Sequence, residues 1–228
     1  MTEAVVLLSG GLDSSTMLAM AIEQGFEVVA VTVDYGQRHR REIESAKKIA
    51  EHFRAKEHIL IMVDLGRSLT SSLTTESVNV PLSRSKEEIG AGIPNTYVPS
   101  RNIIFLSIAS SIAESRGAES VFIAANAVDF SGYPDCTPEF IQSFQKVLEV
   151  GTRAGRENRV IRIEAPLIRM SKADIVREAI RLKVPLEKTW SCYLGGTKAC
   201  GKCDSCLLRL EGFKSAGFKD PMEYEVSK

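Results

Sequence analysis

The sequence predicts an α/β chain: an open, mostly parallel sheet of about five strands, doubly wound by helices, with a small cysteine knuckle at its C-terminal end. Three observations predict it. Continuous apolar, β-branched runs alternate with stretches of helical period, the pattern of strands covered on both faces. The first apolar run ends in Ser9-Gly10-Gly11-Leu12-Asp13-Ser14-Ser15, a glycine turn placed where a strand hands over to a helix. Four of the five cysteines fall close together, at Cys192, Cys200, Cys203 and Cys206.

The elements follow in order. Residues 4–8 read as a buried strand, and 13–24 as a helix whose Met17, Leu18, Ala21 and Ile22 share a stripe before Gly25 ends it. The run at 27–34, EVVAVTVD, has no clean alternation and suits a central parallel strand. A charged helix over 39–53 and a third strand over 58–63 come next. Residues 65–100 are rich in Ser, Thr, Gly and Pro and read as a long excursion over a ligand-binding edge. A small-residue helix at 102–116, a strand at 120–125, a polar loop at 126–138, a helix at 138–150 and a strand at 160–165 complete the alternation. The helix at 171–182 opens with a capping pattern, Ser171-x-x-Asp174. From Pro185 the chain changes character, which divides it into 1–185 and 186–228. Right-handed crossovers place any ligand outside the carboxyl ends of the strands, at loops 9–15, 34–41, 64–100, 126–138 and 166–172.

Composition narrows the function. The 29 basic and 29 acidic residues cancel, so no basic face for long nucleic acid is expected. No apolar run is long enough to span a bilayer, and the first one is too short for a secretory leader, so the expected location is cytoplasmic. In that compartment five cysteines argue against a disulfide framework.

Gly10 and Gly11 let backbone amides approach an anion, and the helix that follows adds its unpaired N–H groups and dipole. Ser9, Ser14 and Ser15 add hydroxyls. The loop has neither the Walker lysine nor the G-x-G-x-x-G spacing. Asp13 is the odd residue: a carboxylate beside phosphate calls for a bridging Mg²⁺, or else it is a first-turn acid favouring the helix dipole. The spacing C-x7-C-x2-C-x2-C fits a closed tetrahedral Zn²⁺ site, with an iron–sulfur cluster as the competing reading. Asp34 ends the second strand beside the first loop, where it could meet the nucleotide or its metal, or simply end the strand. Arg101 offers a bidentate anion clamp, while Ser100 before it suits a helix cap. Lys172, at a helix start, opposes the dipole and so points to an anion. The loop Asp129-Phe130-Ser131-Gly132-Tyr133-Pro134-Asp135-Cys136 combines carboxylates with aromatic rings, as a planar heterocycle would require.

Together, SGGLDSST, DYGQRH, VPSRN, DFSGYPDC and the cysteine spacing resemble the 7-cyano-7-deazaguanine synthase family, within the ATP-pyrophosphatases of the PP-loop type. That resemblance implies a Rossmann-like fold of the adenine nucleotide alpha-hydrolase type. It implies ATP cleavage to AMP and pyrophosphate, and conversion of 7-carboxy-7-deazaguanine and ammonia to the nitrile. It implies ATP contacts from Leu8, Ser9, Gly10, Gly11, Leu12, Asp13, Ser14, Ser15, Thr16, Met17, Leu18 and Asp34. Asp13, Lys172 and Arg101 would be catalytic, and Asp129, Tyr133 and Asp135 would bind the heterocycle. One structural zinc ion per subunit, held by Cys192, Cys200, Cys203 and Cys206, Mg²⁺ with ATP, and a homodimer go with it. With no spare segment for a glutaminase, ammonia is expected from solution or a partner. A tRNA thiolase using its cysteines, and a nucleotide-sensing module, are the alternatives.

Overall fold

The computed structural model describes residues 2–65, 68–126 and 132–225, so the expectation for Asp129 lies outside the described residues. Five strands, β1 (Glu3–Leu7), β2 (Glu27–Asp34), β3 (Glu57–Met62), β4 (Ser120–Phe122) and β5 (Arg162–Glu164), form one sheet in the order β3-β2-β1-β4-β5. Every pairing is parallel. The chain runs outward from β1 to β3, then returns to place β4 on the other side of β1. The ends of β1 and β4 therefore diverge into a crevice, the place where such sheets hold ligands.

Strand periodicity sorts the core into two layers. Ala4, Val6, Leu8, Val28, Ala30 and Phe122 pack with α1 (Leu12–Glu23), α2 (Arg41–His52) and residues further along the chain. Val5, Leu7, Val29, Val31 and Val121 point the other way. They meet Leu106, Ala109 and Ala113 of α4 (Arg101–Arg116) and Phe144 and Leu148 of α5 (Pro138–Gly151). Burial on both faces explains why these strands show no alternation in sequence.

Among the described residues the excursion after β3 holds only the short α3 (Lys86–Ile89), and α6 (Arg153–Arg156) is a single turn after α5. The Ser171 and Asp174 capping box opens α7 (Lys172–Arg181) as its spacing predicts. The strand predicted at 120–125 ends its ladder at Phe122, although the Ile123 N–H still donates to the Glu164 carbonyl at 2.9 Å. A helix not anticipated from sequence, α8 (Asp204–Ala216), follows the cysteines and packs along α7. Gly212 permits that approach, since a Cβ there would lie 2.9 Å from Lys172 Cβ. No helix among the described residues is long and apolar enough to cross a membrane.

Candidate active site

A cleft of about 270 Å³ opens at the carboxyl ends of β1, β2 and β4. Its floor is the first loop. Gly10 takes a left-handed backbone, φ +79°, and presses so closely on α2 that a Cβ would stand 2.3 Å from the Ala46 nitrogen. The Gly10 carbonyl accepts from the Trp190 N–H at 2.9 Å, so the far end of the chain braces the loop. The Ser9 and Ser14 hydroxyls lie 2.9 Å apart. No side chain caps α1 at Gly11, which leaves its first-turn N–H groups for an anion.

Asp13 stands in that first turn, where its Oδ2 accepts from the Lys172 ammonium and, at 2.9 Å, from Asn126 Nδ2. Its other oxygen, Oδ1, is buried with no hydrogen-bond partner among the described residues. The pairing explains the lysine that opposes a helix dipole: its charge is answered by Asp13 across the cleft. A buried, unsatisfied carboxylate oxygen beside an anion cradle fits a hard divalent cation.

Several residues of the ATP set lie outside the cleft lining. Leu8, Ser9, Gly11, Leu12, Asp13 and Ser14 line the cleft. Gly10 supports it from behind. Ser15 and Thr16 are buried, with the Thr16 hydroxyl spent on the Leu12 carbonyl at 2.8 Å. Met17 and Leu18 are fully buried in the core beneath the sheet, because helical period turns them away from the loop. Asp34 is likewise engaged elsewhere. Its carboxylate accepts from the Gly36 N–H at 3.3 Å and pairs with Arg40 at 3.3 Å.

The opposite wall carries Arg101, Phe105, Tyr35, Tyr133 and Cys136, while Glu42 of α2 lines the cleft on the side of the first loop. The Arg101 guanidinium lies 5.9 Å from the ring centroids of Tyr35 and Phe105. Tyr133 reaches Thr96, their oxygens 2.7 Å apart, which ties the excursion to the wall. Burial pushes the Glu42 carboxyl up to about 7, opposed by the nearby Arg101. Ser100 is not a cap: it adopts φ 57° and its side chain makes no capping bond. Asp135 does that work from outside the helix, accepting from the Asn102 N–H at 2.9 Å while 4% exposed. Asp135 therefore sets the start of α4, and with it Arg101, and is not part of the cleft lining.

Cys192, Cys200, Cys203 and Cys206 are all buried, and their sulfur atoms lie within 4.8 Å of one another. Tetrahedral thiolate–zinc bonds place sulfurs about 3.8 Å apart, so the donor set fits a metal ion. The Lys202 and Cys203 N–H groups both donate to the Cys200 sulfur, at 3.4 and 3.3 Å. Hydrogen bonds from Cys203 and Cys206 hold the Cys192 thiol low, and those shared with Cys192 and Cys203 push the Cys206 thiol up.

This knuckle touches each wall of the cleft. Leu82 of the excursion bridges to Cys203, and Arg84 pairs with Asp204. Arg41 of α2 lies 4.3 Å over the Trp190 ring. Arg209 of α8, 1% exposed, donates to Asp220 at 2.7 Å and to the Thr189 hydroxyl at 2.8 Å. Glu42, Asn126, Trp190 and Arg209 were not singled out by sequence reasoning. Only Trp190 carried a signal, as the sole tryptophan of the chain.

The family described as "Queuosine biosynthesis protein QueC" matches residues 3–217. A curated relative from Thermoplasma acidophilum, named 7-cyano-7-deazaguanine synthase, is 55% identical over 98% of this chain and 92% of its own. One of the same name from Oceanobacillus iheyensis is 51% identical over 97% and 98%. Among solved structures, the NMN synthetase of Francisella tularensis superposes with a TM-score of 0.53 at 16% identity, covering 96% of this chain and 78% of that one, a likeness of fold.

Proposed function

The chain belongs to the QueC family of queuosine biosynthesis proteins, and from that premise we propose that it converts 7-carboxy-7-deazaguanine and ammonia to 7-cyano-7-deazaguanine with ATP. The observation that carries the mechanism is Asp13, bridged to Lys172 at the mouth of an uncapped glycine loop. The loop amides and the α1 N-terminus receive the β- and γ-phosphates, and pyrophosphate is the leaving group. Through its unpartnered Oδ1, Asp13 would hold Mg²⁺, which supplies countercharge to that departing group. Lys172 and Arg101 offset charge developing on the α-phosphate.

The carboxylate oxygen of the substrate attacks the α-phosphorus, giving an acyl-adenylate. Ammonia displaces AMP and leaves the amide. In a second round the amide oxygen is adenylated in turn, and loss of AMP yields the nitrile. The deazaguanine rests against Tyr133, with Asp129 as its N–H acceptor, while Asp135 acts by holding α4 and Arg101 in place. Ammonia arrives from solution or from a partner. Residues 1–185 form the catalytic unit. The segment 186–228 is the metal-binding unit, whose four thiolates would hold one structural zinc ion per subunit. A homodimer and cytoplasmic residence belong to the same reading.

The test is one incubation with ATP, ammonium and 7-carboxy-7-deazaguanine, analysed by mass spectrometry. Nitrile and AMP should form together, each dependent on the carboxylate substrate. Sulfur incorporation, or ATP binding with no pyrophosphate release, would refute the assignment.

A further inference from the structure

We propose that the Glu42 carboxylate is the general base that strips protons from the substrate nitrogen as ammonia becomes a nitrile. The inference rests on the synthase reading above and adds a residue to it.

The chemistry creates the requirement. Nitrogen enters as NH₃ and leaves with no hydrogen, so three N–H bonds break. In the first round nitrogen forms a bond to the acyl carbon, one proton goes to the base, and the C–O bond breaks as AMP leaves with its electron pair. In the second, the O-adenylated amide loses one N–H proton to give the neutral imidate. It then loses the other as the C–O bond breaks and the carbon–nitrogen triple bond forms. AMP departs as a stabilised anion and accepts none of these protons, so the cleft must supply an acceptor that returns each one to water.

Glu42 meets the requirement by position and by availability. It stands in the first turn of α2 and lines the cleft together with Arg101 and the first loop. Its own main chain is fixed directly behind Gly10, with its carbonyl oxygen 2.6 Å from the point a Gly10 Cβ would occupy. Among the described residues, each of the other carboxylates at or near the cleft has a partner. Asp13 holds Lys172 and Asn126, Asp34 holds Arg40 and the Gly36 N–H, and Asp135 caps α4. Among the described residues the Glu42 carboxylate makes no hydrogen bond or ion pair. Its electrostatic neighbours are Arg101, Tyr35 and Cys192, so the carboxylate lines the cleft with a cation nearby but forms no ion pair with it.

The experiment separates adenylation from proton removal. In Glu42→Gln, substrate-dependent exchange of labelled pyrophosphate into ATP should persist within about threefold of the unaltered enzyme. Nitrile formation should fall by about 100- to 10,000-fold, with the amide accumulating when it forms at all. In Glu42→Ala, added formate should restore part of the rate, because a small carboxylate can occupy the vacated space. Nitrile produced by Glu42→Gln at the unaltered rate overturns the proposal. So does loss of exchange and of nitrile together with no formate rescue, which would make Glu42 a structural residue. Should the unaltered enzyme make no nitrile, it is the synthase reading that fails. The two failures are therefore distinct.

Discussion

Replacing Gly10 by alanine tests whether the first loop is held by its contact with α2. Two costs add at this position. A left-handed φ of +79° costs a residue with a Cβ about 1–2 kcal/mol. The new methyl would also lie 2.3 Å from the Ala46 nitrogen, 2.6 Å from the Glu42 oxygen and 2.8 Å from the Ser45 carbonyl carbon. All three are backbone atoms of a packed helix and cannot rotate aside, so relief requires displacing α2, at about 1–3 kcal/mol more. The total is about 2–5 kcal/mol. Gly25 supplies the control: its φ is +89°, and a Cβ there meets nothing within 4 Å. Gly25→Ala should show the conformational cost alone. By thermal denaturation, Gly10→Ala should melt about 2–12 °C below Gly25→Ala, at about 2–4 °C per kcal/mol for a chain of this size. ATP affinity, measured by calorimetry, should fall in the first variant and stay unchanged in the second. Equal melting temperatures would refute the argument, since the contact with α2 would then carry no energy.

Asp13→Asn keeps the shape of the side chain and removes its charge, so AMP formation should drop by about 100- to 1,000-fold while circular dichroism and metal content stay unchanged. Asp135→Ala removes the acceptor for the Asn102 N–H and should lower stability by about 1–2 kcal/mol, read as a shifted urea midpoint, with a further loss of turnover because Arg101 opens the same helix. Cys203→Ser should abolish stoichiometric metal in elemental analysis and expose 186–225 to limited proteolysis. Zinc in the unaltered protein would match the proposal, and iron with sulfide would contradict it.

The parts legible in the sequence were those with local causes. A capping box is two residues in fixed register, and Ser171 with Asp174 formed one as read. The central strands declared themselves because burial on both faces leaves unbroken apolar runs. The parts missed have causes far apart in the chain. Ser100 looked like a cap, but the carboxylate that serves α4 belongs to Asp135, brought there by the fold. Helix α8 escaped notice because its buried residues include Asp204, Arg209 and Gly212 while Leu210 stands exposed, so it shows no apolar stripe. Asp34 was read as meeting the nucleotide or its metal, or as simply ending the strand, and its contacts with Arg40 and the Gly36 N–H lie beyond what either reading names. Met17 and Leu18 share a motif with cleft residues, yet helical geometry places them in the core. Glu42 could not be found by motif at all, because it is distinguished by what its carboxylate lacks.

The hydrogen bond from Trp190 to the Gly10 carbonyl also sets an order of events during synthesis. The glycine loop leaves the ribosome well before its brace does. At typical elongation rates the interval is on the order of ten seconds or more. Over that time β1, β2 and α1 can form and bury their apolar faces, but the loop lacks a partner that only the distal chain supplies. Until Trp190 has emerged, a nascent chain presents the glycine loop without this brace. The four-cysteine segment and the brace of the glycine loop are thus completed together, and a ribosome stalled before residue 190 leaves the sheet without that brace.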